Sequence, residues 1–314
     1  MDRSLWTAEG GEFPVRRLVG IIMLCTVIGG SSLHALAHAS NPDPVGVLVM
    51  AHGGDPAWNE GVLDIVRPLR EHYPLEVAFG MATADSLQAA IRALEERGVR
   101  RIAVVRLFLS GASFLERTEQ ILGLAPGAPD RPEDPTHHED ADHGGHRMEF
   151  WRVETRASFV LSEEGLLDSH QIGEILAARA RDLSRHAPSE SVLILAHGAG
   201  DDAENETWLK RMDRLAEGVR KTLPFREVVV ETLREDWPDK REVAERRIRG
   251  FVERAGQGGG KAIVIPFRVH GFGPYADVLS ELDYVSDGRG LLPDSRVAEW
   301  IREQAADGFA RMGW

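Results

Sequence analysis

Val45-Gly46-Val47-Leu48-Val49-Met50-Ala51-His52-Gly53-Gly54 decides how this chain folds. From Val45 to Met50 every residue is apolar or glycine. Such a run suits a parallel strand buried on both faces. Glycine after His52 lets the backbone turn tightly at the strand end. Trp58, Val62, Ile65, Val66 and Leu69 then recur at helical spacing. Leu75 to Phe79 predicts a second strand. A helix capped by Ser86 runs through Arg97, with Leu87, Ala90, Ile91 and Leu94 on one face and Gly98 as its stop. Arg101 to Leu107 predicts a third strand, Phe108 to Ser113 its exit loop, and Glu116 to Leu122 a helix.

The same order returns further on. Ser191 to Leu195 is an apolar strand that ends in Ala196-His197-Gly198-Ala199-Gly200. A helix from about Glu206 to Thr222 carries Leu209, Met212, Leu215 and Val219. Glu227 to Glu231 predicts a strand, Asp239 to Arg254 a helix, and Lys261 to Phe267 a strand that opens into Arg268-Val269-His270-Gly271-Phe272-Gly273. The two Ala-His-Gly motifs are a domain length apart, not a solenoid period. Strands alternating with helices argue for an α/β protein of two similar lobes, each a parallel sheet flanked by helices.

Between the lobes the composition changes. Pro126, Pro129, Pro132 and Pro135 precede His137-His138-Glu139-Asp140-Ala141-Asp142-His143-Gly144-Gly145-His146, which reads as a loop. Glu149 to Val160 can form a strand, and Leu166 to Arg185 a connecting helix. At the N-terminus, Arg16-Arg17 precede an apolar stretch from Leu18 to Ser32, and Ala37-His38-Ala39 offers a small-x-small cleavage site. The expectation is a signal peptide over 1–39 and an exported, periplasmic or otherwise extracytoplasmic protein. A transmembrane anchor is the alternative, although the run is short for a bilayer. The expected boundaries are 40–124 for the N-terminal lobe, 125–148 for the Pro/His-rich loop, 149–190 for a connecting strand and helix, and 191–314 for the C-terminal lobe. Trp300 and Ile301 suggest a closing helix packed on one of the lobes.

Composition narrows the chemistry. The net charge of −13 argues against nucleic acid as a partner. Cys25 is the single cysteine and lies in the segment expected to be removed, so disulfides and thiolate metal sites are not expected in the mature chain. Any transition metal must use imidazole, carboxylate or water. No P-loop, dinucleotide fingerprint or nucleophile elbow occurs, so no nucleotide requirement is expected.

In parallel α/β sheets, ligands bind beyond the carboxyl ends of the strands, where His52 and His197 fall. A neutral imidazole there can ligate a metal or accept a proton. A strand-capping histidine is the plainer alternative, and the duplication weighs toward function at one lobe or both. His270, flanked by glycine, could contact a ligand or simply shape a turn. Glu116 and Glu119 are one helical turn apart and could attract a cation, although a solvated helix face is the simpler reading. Arg106 and Arg268 are the cations near strand exits, and Arg268 is the preferred contact for an anionic group. His137, His138, His143 and His146 could capture nickel, cobalt, zinc or copper for storage or delivery.

The run Val-Leu-Val-Met-Ala-His52-Gly-Gly, its helix, and Val-Val-Arg-Leu-Phe-Leu-Ser-Gly after the third strand resemble the CbiX/SirB-type class II tetrapyrrole chelatases (sirohydrochlorin chelatases). The resemblance implies a chelatase-like fold and a site in the cleft between lobes. It implies insertion of a divalent cobalt, nickel or iron ion into a sirohydrochlorin-type tetrapyrrole, without nucleotide. His52 matches the family's first histidine and His197 its counterpart in the second lobe. The family's second histidine falls on Ser113 in the first lobe and near Gly273 in the second, with His270 three residues earlier. The expected catalytic and ligand set is therefore His52, His197 and His270, with Glu116 beside it. Ser113, Arg268 and Gly273 would contact the ring, and the metal would be cobalt, nickel, iron or zinc. The alternative is a non-catalytic periplasmic protein that binds metal or tetrapyrrole, and a duplicated scaffold without ligand is the third reading. No stable membrane span is expected after signal cleavage. The assembly would be a monomer with pseudo-twofold lobes or a homodimer.

Overall fold

A computed structural model describes residues 44–132 and 149–313. The expected signal peptide and the four histidines of the 137–146 segment lie outside the described residues.

Strands β1 (Val45–Ala51), β2 (Leu75–Phe79), β3 (Arg101–Leu107) and β4 (Ser158–Leu161) form a first sheet in the order β2-β1-β3-β4. Strands β5 (Glu190–Ala196), β6 (Glu227–Thr232), β7 (Lys261–Phe267) and β8 (Tyr284–Val285) form a second in the order β6-β5-β7-β8. Every pairing is parallel. The α/β class with two similar lobes holds as read from the sequence. The strand expected within 149–190 is β4, and it belongs to the first sheet as its fourth member.

The helices are α1 (Pro56–Val66), α2 (Ala84–Glu96), α3 (Leu115–Ile121), α4 (His170–Leu183), α5 (Asp202–Thr222), α6 (Pro238–Gly256), α7 (Tyr275–Val278) and α8 (Ser295–Arg311). Two start earlier than their apolar patterns suggest. α2 is capped at Thr83, and Ser86 lies inside its first turn, where its hydroxyl donates to the Thr83 carbonyl. The shift has a tertiary cause, because the Ala84 N–H donates to the carbonyl of distant Glu149. α5 begins at Asp202, where the Asp201 carboxylate accepts from the Glu204 N–H. Its first turn, Asp202-Ala203-Glu204-Asn205, carries no large apolar side chain, so hydrophobic spacing gives no sign of it.

The alternation along each strand sorts side chains into separate cores. Val45, Val47, Val49 and Ala51 of β1 face one cluster, and Leu48 and Met50 face another. In β5, Val192, Ile194 and Ala196 join the same first cluster, and Leu193 and Leu195 face a third. The two sheets thus share one central core, built with α1, α4, α5 and α8. Helices α2 and α3 cover the outer face of the first sheet, and α6 and α7 that of the second. The closing helix α8, which comes after the second lobe in sequence, packs on the sheet of the first. Its Gly308 comes so near β3 that a Cβ there would stand 2.9 Å from the Ala103 Cβ.

Candidate functional site at the strand exits

Register sets the site. Ala51 pairs with Phe79 and with Leu107, so the first three strands of the N-terminal sheet end at one level. Ala196 pairs with Thr232 and with Phe267 in the same way. The residues just beyond these strands therefore gather at one edge of each sheet: His52 and Phe108 in the first lobe, and His197, Leu233 and Arg268 in the second. His270, just beyond β7, touches the first lobe. A Cβ on Gly61, in the second turn of α1, would lie 3.0 Å from its ring. The exit loop of β7 thus rests against the first helix of the other lobe.

The two Ala-His-Gly turns differ at the ring nitrogens. His52 is exposed, and its Nδ1 donates to the Gly53 carbonyl at 2.9 Å. Its Nε2 has no hydrogen-bond partner among the described residues. A ring that donates from Nδ1 keeps its lone pair on Nε2, facing outward. His197 makes the same Nδ1 contact, with Gly198 at 2.7 Å. Its Nε2, however, lies 3.0 Å from Asp236 Oδ2. Trp237 adds an edge-to-face contact with the His197 ring, centroids 6.0 Å apart. The indole also fills the space beside Gly200, where a Cβ would come within 2.4 Å of it.

Sequence reasoning misses Asp236 and Trp237. They come after β6, an edge strand of its sheet, whereas the motifs draw attention to the exits of β5 and β7. A signal is present in Glu235-Asp236-Trp237, shortly after an apolar strand.

The remaining expected site residues have defined places. Arg268 pairs with Glu235 and lies 5.5 Å over the Tyr275 ring. Burial opposes its charge, but Tyr275 and Glu235 outweigh that and hold its pKa above the ordinary arginine value. Burial pushes the Tyr275 phenol far up, so it stays a neutral hydroxyl. Gly273 has φ +63°, and a Cβ there would meet the Arg268 guanidinium at 2.6 Å. Arg268, the preferred anion contact, is therefore already charge-matched within its own lobe. Arg106 is 1% exposed and spends its guanidinium on the carbonyls of Ser162, Gly111 and Ser113. It is not available to a ligand: it ties the exit loop down. Burial lowers its pKa, and Glu119 opposes that. Ser113 is half-buried in this tied loop, and its N–H donates to the Ser110 carbonyl at 3.1 Å. Glu116 is exposed on α3 and accepts from Gln120, an ordinary helix-surface contact.

Among the described residues, no three His, Cys, Asp or Glu side chains form a group that could hold an ion. His52, His197, His270 and Glu116 are thus not brought together as one ligand set. The reasons are local: His197 is turned to Asp236, His270 packs on α1, and Glu116 points to solvent from α3. Among the described residues, no helix is long and apolar enough to cross a membrane.

Two four-stranded parallel sheets with histidines at matching strand exits define a two-lobed, chelatase-like α/β protein. Residues 46–162 match the CbiX family model. A sirohydrochlorin cobaltochelatase of Methanothermobacter thermautotrophicus is 36% identical over 95 residues, 28% of this chain and 66% of that relative. The match thus spans a little under two thirds of that relative's length. In fold, SirB from Bacillus subtilis, solved with Fe3+, aligns at TM-score 0.58 and 13% identity over 85% of this chain and 98% of its own. The sirohydrochlorin chelatase SirB of Bacillus subtilis subspecies spizizenii, solved with cobalt, aligns at TM-score 0.52 and 11% identity over 85% of this chain and 97% of its own. The sequence similarity to CbiX thus lies in the N-terminal lobe, and the fold similarity to the SirB structures extends across both lobes.

Proposed function

We propose that this protein inserts a divalent metal ion, cobalt, nickel or iron, into a sirohydrochlorin-type tetrapyrrole, with His52 as the residue that receives the ion. The observation that carries this reading is the outward Nε2 of His52, at the first strand exit of the lobe that matches CbiX. Metallation exchanges two pyrrole protons for one divalent cation, so charge balances without a nucleotide. The ion must shed water before the ring nitrogens can bind it. An imidazole with a fixed tautomer can replace one of those waters and leave the other positions exchangeable. The Gly53 carbonyl, by accepting from Nδ1, sets that tautomer. The closed core beneath the strand ends keeps the loop in place.

Two further elements belong to the proposal. The chain is exported and cleaved after Ala39, on the strength of Arg16-Arg17, the apolar run and Ala37-His38-Ala39. Mature protein beginning at Ser40 is the expected result of N-terminal sequencing. His137, His138, His143 and His146 buffer metal ahead of delivery.

The test is metal insertion by the mature protein, monitored by the change in tetrapyrrole absorption. Turnover with at least one of cobalt, nickel or iron, and a loss of at least about 100-fold in His52→Ala, are expected, in line with the removal of an acid, base or ligand group. No turnover with any of the three metals overturns the enzymatic reading. Ser113 at the family's second histidine position favours a second reading, binding of metal or ring without turnover. In that case His52→Ala weakens binding while neither protein metallates the ring.

A further inference from the structure

The two lobes repeat a motif, but the repeat is chemically unequal. His52 and His197 share the strand end, the glycine after it and the Nδ1 contact to that glycine's carbonyl. They differ at Nε2. In the first lobe it has no hydrogen-bond partner among the described residues. In the second, Asp236 Oδ2 stands 3.0 Å away.

We infer that Asp236 is a latch that removes His197 from metal binding, so that strand-exit ligation belongs to His52 alone. The inference rests on the chelatase reading only for what the ion is used for, since the latch itself is a matter of hydrogen bonding. A carboxylate oxygen accepts, so a ring nitrogen bonded to it presents N–H and no lone pair. The Gly198 carbonyl lies 2.7 Å from Nδ1 on the other side of the ring. With an oxygen of the protein facing each ring nitrogen, a cation reaches Nε2 of His197 only by displacing Asp236.

The surroundings hold Asp236 where it can do this. It comes after β6 at the level of the β5 exit, since Ala196 pairs with Thr232. The Arg234 and Glu235 N–H groups both donate to the His197 carbonyl, at 2.7 and 3.4 Å, which anchors the loop to the histidine it serves. Trp237, the next residue, packs against the same imidazole. Arg234 and Lys240 both bind the Gly200 carbonyl and Asp202, closing the other side of the turn. In the first lobe β2 is followed by Gly80-Met81-Ala82-Thr83, which carries no carboxylate at the position equivalent to Asp236. Asp236 itself is 69% exposed, so it is replaceable without opening the core.

The experiment is long-range proton–nitrogen NMR of the histidine rings in the full mature chain, titrated with zinc chloride as a diamagnetic probe. A ring nitrogen that takes zinc changes its nitrogen shift, and assignments come from single His→Gln variants. In the wild-type chain the Nε2 signal of His197 is expected to stay fixed while zinc is added. In Asp236→Ala it should move with zinc, and in Asp236→Glu, which retains a carboxylate within reach, it should again stay fixed. Movement of His197 Nε2 in the wild-type chain, or none in Asp236→Ala, overturns the latch. The response of His52 is read in the same spectra. A silent His52 counts against the proposed function and leaves the comparison of Asp236 variants intact.

Discussion

Replacing Arg106 with methionine isolates what holds the exit loop of β3 in place. The side chain is 1% exposed. Its Nε and Nη2 donate to the Ser162 carbonyl at 3.1 and 2.6 Å, Nη2 also to Gly111 at 2.6 Å, and Nη1 to Ser113 at 3.1 Å. Methionine fills much of the volume and removes every one of these donors. A buried carbonyl left without a donor costs about 1–3 kcal/mol. The simple sum over the Ser162, Gly111 and Ser113 carbonyls is then about 3–9 kcal/mol. Two terms pull the net toward the lower end. The half-buried Ser113 region can take up water, and a neutral side chain avoids the desolvation that lowers the Arg106 pKa. The expected loss is about 3 kcal/mol, at the low edge of values for breaking a buried charged network. At about 2 °C per kcal/mol for a chain of this size, the melting temperature should fall by about 6 °C. Urea unfolding and calorimetry on the mature protein measure both quantities. Hydrogen exchange should show the amides of residues 108–114 opening first. A loss below about 1 kcal/mol, the ordinary size of a neutral surface change, would refute the clamp.

Two further predictions address charge and pH. Glu190 is buried at the start of β5, where its carboxylate accepts from the Ser184 hydroxyl at 2.5 Å and from the Arg185 and His186 N–H groups at 2.9 and 3.1 Å. Burial raises its pKa, but these donors outweigh it and hold the carboxyl below its ordinary value of 4.5. A depressed folded value means this stability is present above the ordinary value and is lost as pH falls through the folded one. Glu190→Gln should therefore cost about 2 kcal/mol at pH 7, from hydrogen bonds to a charged group. The gap to wild type in urea unfolding should close as the pH drops below 4.5; a gap that persists in acid contradicts the assignment. Arg268→Ala should cost about 2 kcal/mol by leaving Glu235, 11% exposed, without its cation. That is less than at Arg106, because Arg268 is 25% exposed and partly screened. A rise in KM for the tetrapyrrole with unchanged stability would instead make Arg268 the anion contact expected from its position in sequence.

Much of the architecture is legible because strand burial writes itself into composition. β2, β3 and β7 have the bounds expected from their apolar runs, and β1 and β5 extend theirs by a residue or two. Helix starts are less legible, since capping at Thr83 depends on a carbonyl from Glu149, far along the chain. β4 reads as a connector because its neighbour, β3, lies more than fifty residues upstream. The candidate histidines stand out by repetition, and His52 lies at its expected strand exit. Repetition also makes His197 look like its equal, and nothing in Ala-His-Gly reveals otherwise.

Local rules account for the period of the elements, the two-lobed α/β class, the placing of His52 and His197 at strand exits, and the resemblance to CbiX/SirB-type chelatases. Side chains alternate along a strand, and glycine turns the backbone at its end, so each of these is written in neighbouring residues. How the lobes join, which ring nitrogen faces solvent and which cations are already spent are settled by partners distant in sequence. α8 returns to cover the first sheet, Arg106 reaches the Ser162 carbonyl at the end of the strand beside it, and Asp236 meets His197 because parallel register brings the ends of β5 and β6 level.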